Sequence, residues 1–365
     1  YTHPVHEQQV RDVIRNEMPS LSICLSSEVC PEMREYDRFS TTCANAYIRP
    51  LISGYLNRLE KMFTLAGFQC PILLMMSGGG WTNLKTAFKF PIRLLESGPA
   101  GGTIMAAGVA HECELSDVLS LDMGGTTAKI CLIRDGVPET SRSFETARVY
   151  RDKKGSGLPL RVPVIELIEI GAGGGSIARV DVMKRIRVGP RSAGSAPGPA
   201  SYDLGGSEPT VTDANVLLGY LNPDYFGGGG KITLNSNLAK KAVSQKIAVK
   251  LELDNNWASY GILETVDENM ANAAKVHAVE RGRVLSRHAM IAFGGGAPLH
   301  ACRIARKLGI DRVIIPKGAG VGSAIGFLRA PMIFEVVRSF KTDFNDFRLA
   351  QVNKLLEEMS REARN

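Results

Sequence analysis

The chain has 365 residues, 44% of them hydrophobic and 22% charged, and this composition excludes a disordered tail, a coiled coil and a fibre. The formal net charge of +7 comes from scattered basic residues without a run of five or six like charges, so neither a nucleic-acid nor a membrane partner is indicated. Glycine is in excess, with 38 residues where the usual usage of ~7% gives about 26. The glycines cluster between apolar runs, a pattern typical of turns that meet another backbone or a ligand.

Seven cysteines occur without a CxxC pair or a signal-peptide pattern ahead of them, and no apolar stretch reaches the ~18 residues of a membrane helix. We therefore expect reduced thiols in a cytoplasmic protein. The chain starts at Tyr1 rather than at a methionine, which predicts that it is part of a longer protein.

The first part of the chain is predicted to be mainly helical. Helical periodicity covers Val5–Met18 and Arg38–Ala66, and the apolar run Leu21–Leu25 between them predicts a strand. Pro50 should kink or divide the second helix, because proline removes a backbone donor and clashes with the preceding turn. The next apolar run, Pro71–Met76, predicts a strand that ends in a glycine turn.

The rest of the chain alternates apolar runs of strand length with helical patterns, which indicates an α/β fold. The predicted strands are Val118–Leu121, Ala128–Ile133, Met290–Phe293 and Val313–Ile315, and the predicted helices are Pro99–Cys113, Thr212–Leu221 with Thr212 as its N-cap, Leu238–Ala248, Tyr260–Arg283, Pro298–Leu308 and Ala319–Leu328. We expect four segments: a first α/β part over 1–136, a loop-rich β region over 137–235, a second α/β part over 236–340 and a peripheral C-terminal helix over 341–365.

The segment Asp122-Met123-Gly124-Gly125-Thr126-Thr127 has the residue types of an anion-binding turn. A buried strand delivers the Asp122 carboxylate, and the two glycines permit a turn whose backbone N–H groups converge on anionic oxygens, with threonine hydroxyls as further donors. Asp122 could hold a divalent cation or orient a water molecule. A plain β-hairpin also fits these residues, so both interpretations stay open.

A second glycine turn, Gly294-Gly295-Gly296, joins a predicted strand to a helix that begins near Pro298. Free N–H groups at such a helix start favour phosphate. A tight strand–helix crossover would require the same glycines. We expect His300, close to this helix start, to be packed in the core rather than catalytic.

Other site signatures fail or are ambiguous. The Walker loop GxxxxGK[ST] and the dinucleotide pattern GxGxxG do not fit, and neither HExxH nor GxSxG occurs. Asp213 and Asn215, within Pro209-Thr210-Val211-Thr212-Asp213-Ala214-Asn215, fit either ligands or helix caps.

Eight segments in a consistent order resemble the hydantoinase A/oxoprolinase family. They span nearly the whole chain and are Ser77-Gly78-Gly79-Gly80, Glu96–Gly102, Asp122–Thr127, Gly171–Ala178, Gly189-Pro190 with Ser192-Ala193-Gly194, Pro197–Ala200, Pro209–Asn215 and the Ala292–His300 block. The family includes N-methylhydantoinase, 5-oxoprolinase and ATP-dependent acetone and acetophenone carboxylase subunits.

The resemblance implies the central portion of the actin-like ATPase superfold, whose two ribonuclease H-like halves clasp a nucleotide, with a loop-rich β insertion. It also implies ATP and Mg²⁺ or another divalent cation, with Asp122 as catalytic residue and metal ligand. The nucleotide-binding residues that it implies are Gly124, Gly125, Thr126 and Thr127 in the second phosphate loop and Gly294, Gly295 and Gly296 in the adenosine-side loop.

The activity implied by the resemblance is phosphorylation of a cyclic amide or an enolate oxygen, followed by hydrolysis or carboxylation. The substrate would be a lactam, a hydantoin or a ketone, and the partner a second large subunit of the hydantoinase B type. Two alternatives remain: a non-catalytic or degenerate nucleotide-binding module, and a small-molecule kinase of the same superfold.

Three departures from the family pattern accompany the resemblance. The first phosphate loop, a DxGGTFTD-like block, is absent from this chain, so we expect the isolated chain to be inactive. Lys129 stands where many members carry a second aspartate, which bears on metal ligation. Ser201-Tyr202 replaces the usual Cys-Tyr pair.

Overall fold

The computed structural model describes residues 3–149, 155–227, 232–343, 345 and 347–364. The chain folds into two compact units, each built from separate stretches of sequence. Unit 1 comprises Tyr1–Ala100, Thr140–Ile165 and Ala330–Asn365, and unit 2 comprises Gly101–Glu139 and Glu166–Arg329. The division into four consecutive segments stays a prediction. Among the described residues, no helix combines the length and the apolar character needed to cross a bilayer.

Twelve helices are described in the part of the chain that the structure covers. They are α1 Pro4–Glu17, α2 Ser26–Val29, α3 Glu35–Leu65, α4 Leu84–Lys89, α5 Ser97–Glu112, α6 Val211–Leu217, α7 Ser236–Val243, α8 Val249–Leu251, α9 Asn255–Glu280, α10 Ala297–Leu308, α11 Gly322–Arg329 and α12 Leu349–Arg364. A π-helical turn, Ser244–Ala248, links α7 to α8.

The strands are short outside unit 2. They are β1 Leu73–Met75, β2 Trp81–Asn83, β3 Asp117–Met123, β4 Ala128–Arg134, β5 Val137–Pro138, β6 Thr140–Ser141, β7 Phe144–Thr146, β8 Leu158–Leu160, β9 Val164–Ile165, β10 Ile168–Ile170, β11 Ser176–Val180, β12 Ile186–Ser192, β13 Ala289–Phe293 and β14 Val313–Ile314.

A mixed sheet organises unit 2, with the strand order β10-β4-β3-β13-β14 and β5 paired to β4. Strands β3, β4 and β10 pair antiparallel, whereas β13 runs parallel to both β3 and β14. This sheet with its flanking helices confirms the predicted α/β class. The residues between β5 and α6 also form short two-stranded ribbons: β6–β9 and β7–β8 in unit 1, and β11–β12 in unit 2.

The two faces of this sheet bury alternate residues, as period-2 strands between helical layers require. Leu119 and Leu121 of β3 face the larger core, which includes apolar residues of α6, α7, α9 and α10. Val118 faces the opposite core together with Met105 of α5. By the same alternation Asp122 lies on the α5 face, at the carboxyl end of its strand.

The strands of the unit 2 sheet are adjacent in space, although a stretch of unit 1 separates β5 from β10 in the sequence. Between β5 and β10 the chain leaves unit 2 after Glu139 and returns at Glu166. The Glu166 amide donates to the Glu139 carbonyl oxygen at 2.8 Å, so the departure and return points are joined by a backbone hydrogen bond. Arg283 also holds the Glu139 carboxylate, at 2.9 Å.

Unit 1 packs α2, α3 and the β7–β8 ribbon around a small core that contains Val29, Ile92 and Leu160. The Arg161 guanidinium pairs with the Asp37 carboxylate of α3 at 2.8 Å. Helix α12 buries none of its side chains. Its peripheral position stays a prediction.

Two local predictions were wrong, and a third was wrong in part. Leu21–Leu25 is not a strand but an irregular segment, and the Arg49 side chain donates to its Ile23 carbonyl at 2.9 Å. Pro50 does not divide α3, because it lies on an exposed face where water can reach the carbonyl left without a donor, and the kink stays a prediction. Helix α6 takes Thr210 rather than Thr212 as its N-cap.

Candidate functional site

The turn after β3 is a tight hairpin whose two central residues are exposed. The Gly124 amide donates to the Thr127 carbonyl at 3.1 Å and closes the turn. Gly125 and Thr126 are exposed, and their amides make no hydrogen bond among the residues that the structure describes. These adjacent amides are therefore available to an anion, which favours the nest interpretation over a plain hairpin.

Asp122 is half-buried at the end of β3 and lies directly opposite Lys129 of β4. Burial raises the pKa of the Asp122 carboxyl group, and the positive charge of Lys129 opposes this shift. Lys129 Nζ donates to Thr127 Oγ1 at 2.7 Å and pairs with Glu169 Oε1 at 3.2 Å. Because Thr127 Oγ1 accepts from Lys129, its own hydroxyl hydrogen stays available for a ligand.

A second backbone segment, Gly171–Gly175, holds the hairpin from its other side. The Gly174 amide donates to the Gly124 carbonyl at 3.0 Å, and the Gly175 amide donates to the Gly125 carbonyl at 2.7 Å. A Cβ at Gly173 would lie 2.6 Å from the backbone of Gly125, closer than real Cβ contacts. The glycines of this segment thus permit one backbone to lie flat on another. Only the family resemblance pointed to this segment, because its role depends on contacts with residues some fifty positions earlier in the chain.

The Gly294–Gly296 turn meets the hairpin at the same edge of the sheet. Strands β3 and β13 are parallel with Phe293 opposite Asp122, so both turns leave the sheet side by side. The Gly296 amide donates to the Met123 carbonyl at 2.8 Å. Gly294 has a φ of +86°, and a Cβ there would collide with Asp122 Oδ1. Only glycine fits at 294, both for its backbone conformation and for this contact.

Asp213 proves to be a structural residue, which decides one of the alternatives left open. Its fully buried carboxylate accepts hydrogen bonds from the Ser201 amide and the Thr210 amide, both at 2.8 Å, and also bonds Ala200 N and Thr210 Oγ1. With Thr210 it forms a capping box on α6. The spacing Thr-x-x-Asp, which the sequence shows, is the signal for this role.

Asn215 and His300 are buried together beside the two turns. Asn215 Nδ2 lies 3.4 Å from His300 Nε2, and His300 Nδ1 lies 2.6 Å from Asp267 Oδ1. Neither side chain is exposed enough to touch a bound ligand, since Asn215 is 2% and His300 1% exposed. His300 is therefore packed, as the sequence predicts.

The residues of the two turns at this edge offer donors for the phosphates of a nucleotide but only one carboxylate, Asp122, for a cation. Free amides and threonine hydroxyls suit phosphate oxygens, and a Cβ at Gly124, Gly125 or Gly295 would meet no other atom within 4 Å. Within the described ranges no group of three or more His, Cys, Asp or Glu side chains forms a metal site. A cation held by Asp122 would therefore take its other ligands from phosphate and water, as Mg²⁺ commonly does.

The fold and this edge together define an α/β protein with paired glycine turns suited to phosphate. The family model described as hydantoinase/oxoprolinase matches residues 38–336. The chain therefore belongs to the hydantoinase/oxoprolinase family.

Relatives and solved structures agree with this membership. The alpha subunit of caprolactamase from Pseudomonas jessenii is 35% identical over 98% of this chain and 50% of its own length. The crystal structure of this ATP-dependent caprolactamase superposes with a TM-score of 0.81 at 35% identity, covering 98% of this chain and 51% of that chain. The acetophenone carboxylase gamma subunit of Aromatoleum aromaticum is 35% identical over 89% of this chain and 44% of its own length.

A nucleotide-free structure of acetone carboxylase, from work on ATP-dependent acetone carboxylation, has a TM-score of 0.72 at 27% identity. It covers 88% of this chain and 44% of that chain. The chain thus spans about half the length of the curated relatives that it matches.

Proposed function

We propose that this chain is the nucleotide-binding part of an ATP-dependent enzyme that activates a cyclic amide or a ketone for hydrolysis or carboxylation. The observation that carries the proposal is the half-buried Asp122 carboxylate beside the free amides of Gly125 and Thr126, with the Gly294 turn packed against it. The similarity to ATP-dependent caprolactamase and to acetone carboxylase supports the choice of nucleotide.

The chain's own groups would act by binding and by neutralising charge. ATP, when bound, supplies a phosphoryl group that turns an amide or enolate oxygen into a leaving group. The amides of Gly125 and Thr126 and the Thr127 hydroxyl would donate to phosphate oxygens and stabilise negative charge on them. Asp122 would hold a divalent cation or orient a water molecule, and the Gly294–Gly296 turn would contact the adenosine side.

A partner subunit is part of the proposal. The caprolactamase relative is named as an alpha subunit and the acetophenone carboxylase relative as a gamma subunit. We propose a second large subunit of the hydantoinase B type, and a cytoplasmic location that suits seven unpaired thiols. The substrate would be a small lactam, hydantoin or ketone.

One observation favours a second candidate, a nucleotide-binding module without turnover. Lys129 stands directly opposite Asp122, at the position where the family resemblance implies a second aspartate. Its ammonium group adds positive charge where a cation would otherwise bind, so it favours phosphate binding and disfavours metal-dependent chemistry.

The experiment that tests both candidates uses the protein together with its partner subunit. ATP hydrolysis is measured without substrate and with a panel of lactams, hydantoins and ketones, in parallel with equilibrium binding of ATP. The proposal expects binding and at least a tenfold stimulation of hydrolysis by one class. Binding without any stimulation would favour the module, and the absence of ATP binding would overturn both.

A further inference from the structure

A buried polar chain begins at His300, in the first turn of α10, directly after the Gly294–Gly296 turn. The imidazole contacts two other helices: Asp267 of α9 through Nδ1, at 2.6 Å, and Asn215 of α6 through Nε2, at 3.4 Å. All three side chains are at most 2% exposed. A polar group buried to this degree is costly unless its partners are fixed, so the arrangement holds three helices in one geometry.

Helix α10 also contacts α9 through charged side chains that come after His300 in the sequence. Arg303 Nε donates to the second oxygen of Asp267 at 2.6 Å, so both residues of α10 use the same buried carboxylate. Arg303 also pairs with Glu264 at 2.6 Å, and Lys307 pairs with Glu268 at 2.7 Å. The α9–α10 contact is therefore fixed without Asn215.

The contact with Asn215 reaches the other turn. Asn215 lies on α6, whose Thr212 donates to the Gly174 carbonyl through its amide at 2.8 Å and through Oγ1 at 2.9 Å. Gly174 in turn donates to the Gly124 carbonyl at 3.0 Å. A continuous path of hydrogen bonds and short backbone steps thus runs from the second turn, through His300 and Asn215, to the hairpin that carries Asp122.

The hydrogen-bond roles along this path follow from the residue types. An ionised Asp267 only accepts, so His300 donates to it from Nδ1–H. Asn215 Oδ1 has no partner among the described residues, so the polar contact of this side chain is the one between its Nδ2 and His300.

We propose that His300 and Asn215 are positioning residues. Together with the direct hydrogen bond between the Gly296 amide and the Met123 carbonyl, they set the spacing between the Asp122–Thr127 turn and the Gly294–Gly296 turn. This inference rests on the proposed function, because a nucleotide is the ligand that would touch both turns. A ligand that bridges the turns depends on their spacing, whereas a ligand that uses one turn does not.

The test compares two variants with a matched control in the intact chain. Asn215→Leu keeps the branched shape of the side chain, although it is larger, and removes the contact to His300. His300→Asn keeps a donor for Asp267 but does not reach Asn215. His277→Asn is the control, since His277 is also a buried histidine of unit 2 and lies in the described structure beside Glu139 and Glu166 rather than the turns.

Three ligands are titrated into each protein: ATP, which spans both turns, and pyrophosphate and adenosine, which each use one. Both variants are expected to bind ATP about tenfold more weakly than the wild type while their affinities for pyrophosphate and adenosine stay within about twofold. The control should bind all three like the wild type even if it melts earlier. Equal ATP affinity in wild type and variants would overturn the inference alone, whereas a wild type that binds none of the three ligands would overturn the proposed function.

Hydrogen exchange of the ligand-free proteins gives a second readout that needs no nucleotide. Asn215→Leu should speed amide exchange in the peptides that contain Gly125 and Gly295, while His277→Asn should not. Unchanged exchange at both turns in Asn215→Leu would contradict the coupling whatever the ligand results show.

Discussion

Two aspartates of unit 2, Asp122 and Asp213, are both charged residues beside glycine-rich turns, and their surroundings are opposite. The Asp213 carboxylate is fully buried and accepts hydrogen bonds from three backbone amides and one hydroxyl. The Asp122 carboxylate is half-buried and accepts none among the described residues. A buried carboxylate with all its bonds made holds a fold together, whereas one kept without partners is available to a ligand.

The largest expected effect is on folding, at Asp213. Asp213→Ala leaves buried donors of Ala200, Ser201 and Thr210 without an acceptor, so the free energy of unfolding should fall by about 3–5 kcal/mol. Urea denaturation followed by circular dichroism measures this loss. A loss below about 1 kcal/mol would mean that water replaces the carboxylate and that the contrast with Asp122 is weaker than the geometry indicates.

The next effect is on activity, at Asp122. In the enzyme with its partner subunit, Asp122→Asn should lower ATP-dependent turnover about 100-fold or more, or about 2.7 kcal/mol in activation free energy, because the carboxylate charge is lost. Folding should be nearly intact. Steady-state ATP hydrolysis with the best substrate measures this loss. Undiminished turnover would show that Asp122 has no catalytic role.

A smaller effect concerns the support of the hairpin. Gly173→Ala places a Cβ 2.6 Å from the Gly125 backbone, and should cost about 1–3 kcal/mol of stability and displace the hairpin. Gly124→Ala is the matched control, since nothing lies within 4 Å of a Cβ there, and should change stability by less than about 1 kcal/mol. Thermal unfolding compares the two, and equal losses would contradict the assigned role of Gly173.

The smallest effect is a pH dependence of stability. Burial raises the pKa of Asp122 in the folded state, so folding favours the protonated carboxyl and the ionised form weakens the fold at neutral pH. Asp122→Asn should therefore be slightly more stable than the wild type near pH 7, by no more than about 1 kcal/mol. This advantage should disappear as the pH falls through the raised pKa. An advantage that grows on acidification would have the wrong sign for a raised pKa.

Local patterns in the sequence were enough for most elements. The strands that flank the turns and the helices α9 and α10 follow from apolar periodicity, because tertiary packing and local pattern agree there. The strand predicted at Leu21–Leu25 failed because an apolar run need not pair with another strand: this segment is irregular, only Leu25 is buried, and Arg49 bonds the Ile23 carbonyl.

The candidate site was only partly accessible to sequence reasoning. Asp122 and its glycines are neighbours in the sequence, so an anion-binding turn can be recognised from the sequence alone. Their role stays a prediction. The meeting of Gly294 with Asp122 depends on the parallel register of β3 and β13, and the support from Gly173 depends on a distant segment. Neither has a local signal. For Asp213 a local signal was present, the capping-box spacing with Thr210, and the competing choice of Thr212 as N-cap obscured it.

The hydrogen bond between Glu166 and Glu139 has a consequence for how the family can vary. Because the chain leaves unit 2 and re-enters it at bonded neighbours, the sheet is complete without the stretch Thr140–Ile165. The entropic cost of closing a loop grows only slowly with its length, so stretches of very different size can be accommodated between these two residues. The junction is thus a point where the chain between Glu139 and Glu166 can change in length while the edge that carries both glycine turns keeps its strand pairing.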